Sequence, residues 1–341
     1  MSRNTPLEIG GTVVKPGQRV SVNLPVADLY TTTSLHMPVK VICGRKAGPT
    51  MFVSAAVHGD ELNGVEIIRR LLKRKALRSI RGTLVAVPIV NVHGFLDQSR
   101  YLPDRRDLNR SFPGSARGSI AARLANTFIR NIVDGADYGI DLHTGAVNRS
   151  NLPQIRANLD HAPTLDIAQA FGVPVVINSN ILDGSLRACA AERGLPMLIY
   201  EAGEALRFDE TGIRAGIRGI LNVMRHIGML PPSRRRKTVE PVITHATQWV
   251  RASTSGIVTG KVPLGSSVEK GQRLATLSDP LGEDEEDLLA PNDGIVIGRS
   301  NLPLAHEGDA LFHLGYFKEL PAAEDVVETF ASEHGSTTTT T

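Results

Sequence analysis

His58 and Glu61 stand three residues apart in His58-Gly59-Asp60-Glu61. An imidazole nitrogen and a carboxylate oxygen at that spacing, on a turn with a glycine, can aim at one cation. Nitrogen and oxygen donors that leave a coordination position open suit a catalytic zinc. The pair alone is weak, because a solvated turn before a helix reads the same way. Three further stretches add to it. YGIDLHTG, residues 138–145, carries His143 at a strand end. Asp141 lies two residues earlier, on the same strand face, where it can orient a ligating imidazole. MLIYEAG, residues 197–203, closes an apolar run on Glu201. An unpaired buried carboxylate is costly, so Glu201 is either exposed at the strand end or functional. RYLPDRRDLNRSFPG, residues 100–114, sets Asn109 beside Arg110, an amide and a guanidinium fork suited to gripping a carboxylate. The plainer alternative for that loop is a charged surface in which Asp107 pairs with Arg110.

The elements that must carry these residues follow from hydrophobic period and breakers. An unbroken small-apolar run after Gly48-Pro49 predicts a buried strand over 51–57. Leu62, Val65, Ile68, Leu71 and Leu72 predict a helix from about Glu61 to Lys75. Further strands are predicted at 83–91, 138–143, 173–178 and 197–201, and helices at 120–133, 163–171, 185–192 and 209–228. Strands alternating with helices imply an α/β fold: a mixed, mostly parallel sheet with helices on both faces. In such sheets the carboxyl ends of the strands form the ligand site. His58 with Glu61, Arg100 with Asn109 and Arg110, His143, and Glu201 all fall near such ends. Two closely spaced ligands plus one distant histidine is a common catalytic-zinc layout, with three protein ligands and an open position.

Composition narrows the class. The 341 residues, 41% hydrophobic and 21% charged, suffice for two cored domains of an ordinary soluble protein. A net charge of +3 is too small to argue for nucleic acid. The basic run Arg234-Arg235-Arg236-Lys237, after Pro231-Pro232, reads as a solvated linker. Two cysteines make no disulfide framework and fit a reducing compartment. No signal peptide and no apolar run of about 18 residues is visible, so the expected location is the cytoplasm and no membrane partner is expected.

HGDE at 58–61, RDLNRSFPG at 106–114, DLHTG at 141–145 and YEAG at 200–203 together resemble the succinylglutamate desuccinylase/aspartoacylase family, a branch of the zinc carboxypeptidase-like fold. The resemblance spans about 50–230. It implies that His58, Glu61 and His143 hold one Zn2+ per chain, and that Glu201 is the general base that activates water. It further implies that Asn109 and Arg110 grip the substrate carboxylate. Arg100 resembles the arginine that polarises the scissile carbonyl, at the expense of a two-residue insertion before Asp107. Arg105 and Arg106 are nearby competitors. His93 follows a strand and could approach the site, but reads better as a satisfied strand-end histidine. Asp60 flanks the ligands and at most supports them. His306 and His313 have no partner at metal spacing, and Cys189 has no nearby histidine or basic residue in sequence.

From about Thr238 the pattern changes to short β runs between Gly and Pro turns. Residues 255–314 resemble the hammerhead domains of biotinyl and lipoyl carriers, but the hairpin DPLGEDEED, 279–287, holds no lysine, so no swinging-arm chemistry follows. A wall or lid beside the cleft is the expectation. The organisation read from the sequence is therefore a β apron over 1–45, a zinc hydrolase catalytic domain over 46–231, a C-terminal β domain over 232–320, and a partly disordered tail over 321–341. The expected activity is hydrolysis of the amide bond of an N-acyl amino acid or related small carboxylate-bearing amide. The alternative is a zinc carboxypeptidase acting on a peptide or an amide-linked glutamate chain. The partner is a small-molecule N-acyl substrate, and a homo-oligomer is left open.

Overall fold

Residues 2–232 and 240–334 are described by the computed structural model. The basic run at 234–237 and the GSTTTTT tail at 335–341 lie outside the described residues. Four parallel strands form the centre of one large sheet, in the spatial order Arg81–Val87, Lys46–Ala55, Tyr138–Gly145 and Met197–Glu204. Antiparallel strands extend it on both sides. Ser34–Cys43 and Arg19–Asp28 form a hairpin at one edge. Arg149–Ala157 pairs with Met197–Glu204 on the other side. The fold is mixed α/β, with a carboxypeptidase-like core and additional antiparallel strands.

The central strand shows why the sheet is covered on both faces. Its side chains alternate. Met51, Val53 and Ala55 meet Ile67, Ile68 and Leu71 of the helix Asn63–Leu71 and Ile217 and Ile220 of the helix Glu210–His226. Phe52 points the other way, against Phe128 and Ile132. Its ring meets that of Phe128 edge-on at 5.9 Å. Each such buried side chain is worth ~1.5–3 kcal/mol, so the strand is anchored from both layers. Both cysteines are buried and unpaired.

The expected helix over 61–75 is shorter than its apolar period. It starts at Asn63, because Glu61 is consumed in a turn whose N–H bonds the His58 carbonyl at 3.2 Å. The strand expected to run to 91 stops at Val87, because Pro88 brings no N–H to the ladder. Asn91 instead caps the short helix Val92–Leu96, accepting from Gly94 N–H. The strand Arg149–Ala157 was not foreseen at all. It reads SNLPQIR, polar and with a proline, yet Asn151 and Gln154 are buried.

Five strands of the C-terminal stretch join the same sheet, Val242–Thr244 and Ser267–Val268 at its margins. Gly294–Ser300 pairs antiparallel with Arg149–Ala157, and Ala310–Tyr316 and Ala246–Arg251 follow it in order. A separate four-stranded sheet includes Arg273–Ser278 and Glu285–Leu289, joined through the acidic hairpin. The tail over 321–341, expected to be partly disordered, is helical in its described part, and 335–341 lie outside the described residues. Leu320–His334 is a helix that buries Ala323, Val326, Val327 and Phe330, apolar residues at helical spacing. Among the described residues no helix is long and apolar enough to cross a membrane.

Candidate active site

The carboxyl ends of the four parallel strands converge on one cleft of about 250 Å³, lined among others by His58, Glu61, Arg100, Asn109, Arg110, His143 and Glu201. The turn that delivers the first two is tight. A β-carbon on Gly59 would lie 1.9 Å from the carbonyl carbon of Gly94, so only glycine lets the turn pack on the Val92–Leu96 helix.

Glu61 is the centre of the cluster. Its two oxygens lie 2.7 Å from His58 Nδ1 and 2.8 Å from His143 Nδ1. The three donor atoms fall within 4.8 Å of one another, and all three residues are buried. Each imidazole is held from behind by an aspartate. His143 Nε2 is 2.7 Å from Asp141, itself bonded by the Ser54 hydroxyl at 2.7 Å. His58 Nε2 is 3.2 Å from Asp107. Burial alone would favour the neutral form of every group here. The charges override it. Glu61 is held far below the usual carboxylate range by the two imidazoles, and Asp107 is likewise held down by His58 and Arg100. His143 is raised well above the usual value by Asp141 and Glu61, and His58 is raised by Glu61 and Asp107. The cluster thus attracts positive charge onto two Nδ1 atoms that face a carboxylate. A divalent cation fits that donor set, taking the place of two protons with nitrogen, nitrogen and oxygen ligands.

Arg100 is anchored by its Nε and Nη2, which donate to Asp107 Oδ2 at 3.2 and 2.9 Å. That leaves Nη1 close to the cluster, 3.2 Å from His58 Nδ1 and 3.4 Å from Glu61 Oε1. The competitors Arg105 and Arg106 are exposed and do not line the cleft. Asp107 does not pair with Arg110, as the plainer alternative for this loop had it, but with His58 and Arg100. Arg110 reaches the cleft from an exposed position, with Nη1 donating to the Asn109 carbonyl at 2.7 Å. The Asn109 side-chain oxygen accepts from Leu186 N–H at 2.9 Å, so its amide donors remain for a ligand.

Glu201 is neither unpaired nor in apolar surroundings. Asn151 Nδ2 donates to its Oε2 at 2.8 Å, Gln154 Nε2 lies at 3.4 Å, and Arg156 Nε forms an ion pair with it at 3.1 Å. All three partners come from the strand Arg149–Ala157, in register beside Glu201. Sequence reasoning missed them, although a run as polar as SNLPQIR between two buried strands is itself a signal of a site. It also missed Arg187. This buried guanidinium lines the cleft and, among the described residues, bonds neutral oxygens of Ser179 and Asn180. Burial, then Arg156, pushes its pKa down to about 10.

A model of the succinylglutamate desuccinylase/aspartoacylase catalytic domain matches residues 47–227. The chain belongs to this family. The succinylglutamate desuccinylase/aspartoacylase family is one of amide-bond deacylases, and the matched segment carries the whole cluster. An N-alpha-acetyl-L-2,4-diaminobutyric acid deacetylase of Halomonas elongata is 29% identical over 305 residues, 85% of this chain and 89% of that protein. The product-bound structure of the ectoine utilization protein EutE (DoeB) of Ruegeria pomeroyi superposes with a TM-score of 0.79 at 25% identity, over 92% of this chain and 98% of that one. A succinylglutamate desuccinylase/aspartoacylase of Rhodobacter sphaeroides superposes with a TM-score of 0.77 at 26% identity, over 88% and 95%.

Proposed function

We propose that this chain is a zinc-dependent deacylase that hydrolyses the amide bond of an N-acyl amino acid or related small carboxylate-bearing amide. The observation that carries this is the convergence of the His58–Glu61–His143 cluster with Glu201 and Arg100 on one small cleft. Zinc, when bound by those three residues, supplies a Lewis acid for the amide oxygen and acidifies water. Glu201 takes a proton from the attacking water and passes it to the leaving nitrogen. Asn151 and Arg156 hold that carboxylate in one orientation. Arg100, fixed by Asp107, donates to the oxyanion that develops on the carbonyl. Arg110 and Asn109 grip the substrate carboxylate and align the amide.

A cleft of about 250 Å³ suits a small amide better than a peptide chain, which supports the deacylase over the carboxypeptidase alternative. The deacetylase name of the Halomonas elongata relative points the same way. The test is turnover of a panel of N-acetyl and N-succinyl amino acids and short peptides, on protein whose zinc content has been measured. Release of acetate or succinate at about one zinc per chain is expected. Hydrolysis confined to peptides would replace this reading with the carboxypeptidase.

A further inference from the structure

Arg149 opens the strand Arg149–Ala157 and lines the cleft, half-buried. Its Cζ lies 5.2 Å from the ring centre of Trp249, which lines the same cleft from the strand Ala246–Arg251. Trp249 is the chain's only tryptophan. It is also stacked on His313, with ring centres 4.6 Å apart and planes within 5°. His313 is buried directly opposite it in the sheet register. The indole is thus fixed by the sheet and by a buried ring, and it offers the guanidinium a rigid aromatic face.

No described residue makes a hydrogen bond or an ion pair with the Arg149 guanidinium. Three other arginines of the cleft have partners: Arg100 pairs with Asp107, Arg156 with Glu201, and Arg187 donates to the oxygens of Ser179 and Asn180. Arg110 is assigned to the substrate carboxylate. Arg149 is therefore a cation held in place with its donor fork unused, in a cleft where the nearby carboxylates already have partners. A guanidinium held over an aromatic ring, with no hydrogen-bond partner of its own, keeps its N–H donors for a planar anion.

We propose that Arg149, positioned by Trp249, is a specificity-determining residue that takes a second anionic group of the substrate, apart from the carboxylate given to Arg110. This rests on the deacylase reading for the identity of the substrate. The second anion sits either on the acyl part or on the amino-acid side chain. A substrate with a cationic group there is repelled.

Three compounds test it: N-acetylalanine with one carboxylate, N-acetylglutamate with the second on the side chain, and N-succinylalanine with the second on the acyl part. Where a compound is hydrolysed, KM and kcat are read. Where it is not, affinity is read by titration calorimetry. At least one dianion is expected to be preferred over N-acetylalanine by on the order of tenfold or more, the usual scale of a charge-assisted contact. Arg149→Gln should erase that preference through KM rather than kcat. Trp249→Phe, which keeps an aromatic face, should retain most of it, and Trp249→Leu should lose it. Equal affinity for all three compounds, or a preference that survives Arg149→Gln, would overturn the assignment. Selective binding of a dianion with no hydrolysis of any compound would remove the deacylase reading and leave Arg149 standing. Hydrolysis without preference would do the reverse.

Discussion

Asp107 Oδ1 lies 3.2 Å from Nε2 of His58, the ring nitrogen that Glu61 does not use. The same carboxylate anchors Arg100 through its other oxygen. One side chain therefore serves both the ligand cluster and the residue assigned to the oxyanion. Asp141 has only the first of these duties, toward His143.

The two aspartates should separate on mutation. Asp141→Asn and Asp107→Asn should each weaken zinc affinity by roughly 10- to 100-fold, the usual effect of removing a group that orients a ligand. Competition with a chelator measures this. At saturating zinc, Asp107→Asn should remain slower than Asp141→Asn, because Arg100 has lost its anchor. Equal kcat for the two variants would show that Asp107 does not position Arg100.

Glu201→Gln should fold, retain zinc and lose on the order of 10²-fold or more in kcat, the scale of a positioned general base. Zinc content and turnover on one preparation decide the matter. Full zinc with near-normal turnover would take Glu201 out of the mechanism. Loss of zinc would make it a ligand.

Gly59→Ala should damage the site more than its one added carbon suggests. The new methyl would meet the backbone of Gly94, which cannot step aside without moving the Val92–Leu96 helix. The expected result is a lowered melting temperature together with lost zinc. A variant with normal stability and full metal would show that the turn relaxes freely.

His313 gives the stability a pH dependence. Burial first, then Arg156, holds its pKa at about 3, against 6.5 in an unfolded chain. Between those values the unfolded state binds a proton that the folded state refuses. Stability is therefore full above about pH 6.5 and falls as the pH drops toward about 3. His313→Phe should flatten that acid-side slope in denaturant titrations at pH 7.5 and pH 5. An unchanged slope would assign the effect to another group.

What could be read beforehand, and what could not, follows from where the information lies. The central strands and most helices are written as local periods, so the stripe from Ile213 to Ile227 is plain in one dimension, and so is the strand expected over 51–57, which the structure sets at Lys46–Ala55. The His58–Glu61–His143 cluster is legible because His58 and Glu61 are close in sequence and strand ends share one edge. Asp107 as a partner of His58 depends on how a long loop folds back, which no period encodes. Asn151, Gln154 and Arg156 were missed for a different reason. Their strand spends its buried positions on a carboxylate, so the alternation that marks a strand is replaced by polar residues.

The strand Arg149–Ala157 receives Glu201 on one side and Gly294–Ser300 on the other, with Asn151 opposite Gly298. Gly294–Ser300 is thus paired with the strand whose Asn151 steadies the Glu201 carboxylate. The boundary suggested by Pro231-Pro232 is a seam in the chain but not in the molecule. Cutting there would strip the backbone partner from Asn151 and take Trp249 from the cleft. Such a fragment would keep His58, Glu61 and His143 and still lack a wall, with an unpaired sheet edge open to other chains.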